Sequence, residues 1–116
     1  MNIEEIREYC ISKEFVEETF PFDEDTLVFK VLGKMFLLIS LSEPNSFNVK
    51  CDPERSVELR EQYSEIIPGW HMNKKMWNTV YVNGSIPRKL LLELIDHSYE
   101  EVIKRLPKKT QALLKK

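Results

Sequence analysis

The stretch from Pro68 to Val80 gathers two tryptophans, two methionines, two lysines, a histidine and two asparagines into a turn and the strand that follows it. Lysines beside an aromatic ring are groups that neutralise nucleic-acid phosphates and pack against the backbone they bind. The same residue types can equally serve the fold. Trp70, Met72 and Trp77 would then anchor the core or its rim, and Asn73 and Asn78 would satisfy backbone groups of an irregular loop. Both readings stand at this point.

Other chemistry is sparse. His71 and His97 are too few and too far apart for a zinc site, and His97 falls on a polar helix face where it reads as solvated. Cys10 and Cys51 have neither metal-ligand spacing nor partners for a disulfide scaffold, so they read as buried, reduced thiols. Asp23-Glu24-Asp25 precedes a strand, where acids at a turn face solvent. No nucleophile elbow occurs, and three glycines in all cannot build a phosphate-cradling loop. No enzyme activity, cofactor, bound metal or small-molecule substrate is expected.

The elements that must position these residues read clearly. Asn2 with Glu5 forms a capping box before Ile3, Ile6, Cys10 and Ile11, predicting a helix over 3–13. From Thr26 the period becomes two. Leu27, Phe29 and Val31 share one strand face and Val28 and Lys30 the other, and Leu32-Gly33 turns the chain. The return strand sets Met35, Leu37, Ile39 and Leu41 against Phe36 and Leu38; apolar on both faces, it reads as central. Strands are therefore expected near 26–32, 34–41, 46–51 and 76–82. Asp52-Pro53 starts a second helix with Leu59, Tyr63 and Ile66 on one face, ended by Pro68-Gly69. A last helix begins at Pro87, with Leu91, Ile95, Tyr99, Val102 and Leu106 as its apolar stripe. Glu93, Asp96, His97, Glu100, Glu101 and Lys104 form its polar face.

The expected fold class is α+β: a two-layer sandwich, an antiparallel sheet with helices packed on one face, in the order α-β-β-β-α-β-α. Residues 26–51 leave no room for the crossover helices of a parallel sheet. A single domain over 1–106 is expected, with a basic extension over 107–116 that forms a short helix. The 116 residues suffice to bury a core without disulfide or metal.

Met1-Asn2-Ile3-Glu4-Glu5 lacks the basic-then-apolar order of a signal peptide, and no apolar run nears the roughly 18 residues of a membrane span. A cytoplasmic location without membrane association is expected. Charge nearly balances at −2 but is unevenly spread. Residues 1–26 are acid-rich, whereas Lys104, Arg105, Lys108, Lys109, Lys115 and Lys116 close the chain without an acid. That polarity admits either a solvated terminus or contacts between copies or with a protein partner.

The chain resembles the MmcQ/YjbR family of small bacterial proteins at Pro68, His71-Met72-Asn73-Lys74, Trp77-Asn78-Thr79-Val80 and Asn83-Gly84. The likeness extends to Tyr9-Cys10, Phe29-Lys30-Val31 through Gly33-Lys34-Met35-Phe36, Leu94-Ile95, Ser98-Tyr99 and Leu106-Pro107-Lys108-Lys109. It departs at Met76, where many members carry histidine directly before the motif tryptophan, so no role for a histidine pair carries over. The resemblance implies a type III secretion chaperone-like, or CyaY-like, fold. It also implies a DNA-binding role resting on wing-like hairpins, and no catalytic activity. Lys34, Lys74, Lys75 and Trp77 are the expected DNA contacts, assisted by Lys108 and Lys109, within a motif of His71, Asn73, Lys74, Trp77 and Asn78. The alternative is a protein-interaction adaptor, as a homodimer or with another protein and no nucleic-acid role.

Overall fold

The computed structural model describes residues 1–69 and 73–114. Its helices start where capping chemistry puts them. The Glu5 N–H donates to the Asn2 side chain at 2.9 Å while Glu5 accepts from the Asn2 N–H, opening α1 (Ile3–Ile11). Asp52 accepts from the Arg55 N–H at 3.0 Å, and Pro53 leads α2 (Pro53–Gln62). Pro87 precedes α3 (Arg88–Ile103), and Pro107 precedes the short α4 (Lys108–Gln111).

Among the described residues there are six strands: β1 (Val16–Thr19), β2 (Thr26–Val31), β3 (Lys34–Ser40), β4 (Ser46–Lys50), β5 (Ile66–Pro68) and β6 (Trp77–Tyr81). They pair antiparallel throughout in the order β1-β2-β3-β4-β6-β5. The α+β sandwich is as expected, with β3 inside the sheet, but two edge strands were not foreseen. The element order is α-β-β-β-β-α-β-β-α-α. α1 also stops at Ile11 rather than residue 13, and α2 ends at Gln62, so Ile66 belongs to β5 and not to a helical stripe with Leu59.

β2 and β3 join through Leu32 and Gly33, both at positive φ (49° and 84°), the geometry of a two-residue hairpin turn. The expected alternation along β3 fails at one place. Phe29 pairs Leu37 but the next residue, Lys30, pairs Met35, so Phe36 is an extra residue in a β-bulge. Phe36 therefore joins Leu37 and Ile39 in the main core, while Met35 turns to the other face beside Leu38. The bulge also opens the ladder to β4, which pairs only through Leu37–Val49 and Leu38–Asn48. Ser98 of α3 fills the gap: its hydroxyl donates to the Phe36 carbonyl and accepts from the Lys50 N–H at 2.8 Å.

The main core lies between the sheet and the helices. Phe29, Phe36 and Phe47 are fully buried there with Ile6, Ile95 and Leu91, and Phe36 meets Tyr99 edge-on at 5.5 Å between centroids. Truncating any of these three phenylalanines to alanine costs on the order of 3–5 kcal/mol. Among the described residues the opposite sheet face carries a small buried cluster of Val28, Leu38 and Trp77, flanked by Met35 and Met76. Among the described residues no helix is long and apolar enough to cross a membrane.

Candidate nucleic-acid interface

The segment around Lys74 and Lys75 is held from behind by α2. The Arg60 Nε donates to Asn78 Oδ1 at 2.8 Å, and its Nη2 donates to the Lys74 carbonyl at 2.6 Å and the Trp77 carbonyl at 3.3 Å. Asn78, 1% exposed, completes its bonding by donating from Nδ2 to Ser56 Oγ at 3.1 Å. Asn73 accepts the Lys75 N–H on its side chain, and its carbonyl accepts the N–H groups of Met76 and Trp77. A Cβ added at Gly69 would lie 2.9 Å from Trp77 Cβ, so this strand pair demands glycine at that close approach. Asn73, Asn78 and Trp77 thus build the platform, as the architectural reading of the motif has it. Lys74 and Lys75 stand exposed on it.

Trp77 is 5% exposed and packs against Val28 and Leu38, which leaves it no free face for a ligand. Its ring carries a cation, the Lys50 ammonium at 5.7 Å from the centroid. Lys50 pairs Trp77 across β4 and β6. Burial, and then the positive charge of Arg105, lower the Lys50 pKa from its usual value; Lys34 adds in the same direction and Glu101 opposes. Arg105 reaches the same end of the sheet from beyond α3, its Nη2 contacting Met76 Sδ at 3.9 Å. Lys34, Lys50 and Arg105 therefore gather at the Trp77 end of the sheet, and Lys74 and Lys75 stand in the exposed turn that leads into Trp77. Lys50 and Arg105, with the Arg60 and Ser56 supports, were not singled out from the sequence. Nothing in their spacing points to Trp77 until β4 is laid beside β6.

Among the described residues the carboxylate that acts on Lys50 is Glu101, which pairs with Lys104 and lies 4.0 Å from Arg105. At 4% exposed it is buried, contrary to its expected place on the polar face, and its Oε1 has no hydrogen-bond donor among the described residues. Lys34, Lys50, Lys74 and Lys75 form no ion pair among the described residues. Lys108 and Lys109 are exposed on α4, whose Gln111 bonds back to the Lys104 and Leu106 carbonyls. Gln111 also lines a hollow with Ser12, Lys13 and Tyr99, on the α1 side of α3. Among the described residues no contact brings Lys108 or Lys109 to Trp77. His71 lies outside the described residues.

The remaining reactive groups are locked. Burial pushes the Cys10 thiol up to about 12 and raises Cys51 as well, and both are free thiols. His97, expected to be solvated, instead accepts the Asp52 N–H on Nε2 at 3.1 Å.

Comparison with known proteins fits this architecture. The YjbR family model matches residues 11–101, a span that includes Lys34, Lys74, Lys75, Trp77 and Asn78 and excludes Lys108 and Lys109. The chain is 33% identical over 115 residues to the uncharacterized protein YjbR of Escherichia coli K12, covering 98% of each. It is 42% identical over 98 residues to the uncharacterized protein YbdF of Escherichia coli O157:H7, covering 84% of this chain and 80% of that protein. A crystal structure of a Deinococcus radiodurans protein with the DUF419 domain superposes with a TM-score of 0.90 at 41% identity, over 97% of this chain and 86% of that one. A Pseudomonas syringae crystal structure superposes at 0.73 with 27% identity, over 87% and 98%. The chain belongs to the YjbR family.

Proposed function

We propose that the protein is a non-enzymatic module that binds duplex DNA weakly and without sequence preference, through the cations gathered around Trp77. One observation carries the reading: Lys34, Lys50, Lys74 and Lys75 converge at one end of the sheet with no ion-pair partner among the described residues. Most arginines elsewhere are committed, whereas Lys89, Lys108 and Lys109 are unpaired among the described residues but scattered over the helices. Arg7, Lys13, Arg55 and Arg88 are paired to Glu18, Asp96, Glu93 and Glu5. A net charge of −2 sets the long-range field against DNA, but charges beyond about 10 Å are largely screened at moderate salt, so the local cluster decides. Trp77 serves by fixing Lys50 and not by stacking. Phosphate contacts of this kind confer affinity without base readout.

The test is a fluorescence titration of labelled duplex DNA at several salt concentrations. Binding should weaken as salt rises, with a log–log slope of about −0.9 per phosphate contacted, and unrelated duplex sequences should bind alike. No binding at low salt, where electrostatic attraction is strongest, overturns the reading. The purified protein is expected to carry no stoichiometric zinc or iron, which elemental analysis checks.

A further inference from the structure

The sheet face away from the main core presents a cleft of about 690 Å³. Leu38, Asn48 and Thr79 form its floor, with the Thr79 hydroxyl donating to Asn48 Oδ1 at 2.6 Å, and Phe22, Ile67 and Tyr81 form its walls. Phe22 is 62% exposed, Tyr81 40% and Ile67 38%, an apolar rim turned to solvent. The strand register gives this face a direction. β2, β3, β4 and β6 all place one end at Lys34, Lys50 and Trp77 and the other at Thr26, Ser40, Ser46 and Tyr81. The first end is basic. The second is acidic, with Asp23, Glu24 and Asp25 ahead of β2 and Glu43 after β3.

We propose that this face docks a second copy of the chain. A two-fold axis lying between the faces and running across the strands, level with Asn48 and Thr79, sets the acidic end of each copy on the basic end of its mate. An axis running along the strands would instead stack like charges, so charge selects the first arrangement. Glu43 lies in the connection between β3 and β4 at one end and Lys50 ends β4 at the other, on the cleft face with Asn48, which lays Glu43 of one copy by Lys50 of the other. Such an interface is isologous and closes at two copies. Six strands about 4.8 Å apart and about 17 Å long offer roughly 400 Å² of face per copy, well below the roughly 800 Å² of a standard stable complex. The dimer is therefore weak and concentration-dependent, and it covers the basic end that faces DNA.

Sedimentation and amide-shift measurements on the full chain over a concentration series at low salt, without nucleic acid, test this. The expected result is concentration-dependent dimerisation, with shifts at Asn48, Thr79 and Tyr81 and not on α3. Phe22→Ser should weaken it, and Glu43→Lys and Lys50→Glu should each weaken it about fivefold or more, since symmetry counts each change twice. Carried together in one chain, the two reversals should restore most of the affinity. A monomer at millimolar concentration overturns the proposal, as do shifts confined to the helices or a double reversal no tighter than the singles. Because DNA is absent, the outcome is independent of the DNA-binding reading.

Discussion

Ser98 occupies the gap that the Phe36 bulge leaves between β3 and β4, where its hydroxyl bonds both the Phe36 carbonyl and the Lys50 N–H. Replacing it with alanine strands a buried donor and acceptor, an expected loss of about 1–3 kcal/mol. The melting temperature should fall by several degrees, and an unchanged denaturation midpoint would contradict this role. His97 has a comparable duty. Its Nε2 accepts the N–H of Asp52, the residue that caps α2, so the ring must carry its proton on Nδ1. Burial, followed by the nearby Arg55 charge, lowers its pKa from the usual 6.5; Lys104 acts the same way, while Glu101 and Asp52 oppose. A depressed histidine pKa means that the unfolded chain binds the proton more readily. Stability is then intact above about pH 6.5 and is lost as pH falls through that value toward the lower folded one. His97→Gln should flatten the pH dependence of the denaturation midpoint between about pH 7 and 5; a slope identical to the wild type would show that another group titrates there. Carboxylates held low by their partners, Glu5 by Arg88 and Glu18 by Arg7, act only at more acid pH.

At the scale of elements, the helix starts and the β2–β3 hairpin were legible because each is set by local chemistry: a capping box, an Asp-Pro pair, a Leu-Gly turn. β1 was not, since Val16-Glu17-Glu18-Thr19 has two acids where a strand signal needs apolar alternation. Such charges suit an edge strand, where they discourage pairing with another chain. β5 is three residues ending in Pro68, a residue that strands tolerate at edges, and Ile66 happened to fall in register with a helical stripe. The Phe36 bulge was invisible because β3 is apolar on both faces, so no polar residue marks where alternation slips. Of the candidate site, Lys34, Lys74 and Lys75 were legible by type and spacing. The Arg60 clamp was not, because it joins α2 to a loop that only tertiary packing brings near. Arg60→Ala and Asn78→Ala should each destabilise the fold, and a double-mutant cycle should give a coupling of about 0.5–3 kcal/mol. Strict additivity would mean that the 2.8 Å bond between them contributes nothing.

For the whole molecule, the decisive property is the separation of charge and not its sum. A chain with net charge −2 groups Lys34, Lys50, Lys74 and Lys75, unpaired among the described residues, at the Trp77 end of the sheet, while acids border the opposite end. α4 carries the two further lysines, Lys108 and Lys109, without contact to that cluster. On the proposed reading DNA would meet the platform and not the basic tail, although the sequence alone favoured both. Salt-dependent DNA titrations of three proteins separate them most directly: the wild type, Lys74→Ala/Lys75→Ala and Lys108→Ala/Lys109→Ala. The platform variant should lose affinity and flatten the log–log salt slope by about 2, with the tail variant close to wild type. A slope that flattens only when the tail lysines are removed, or no binding by the wild type at low salt, would contradict the central claim.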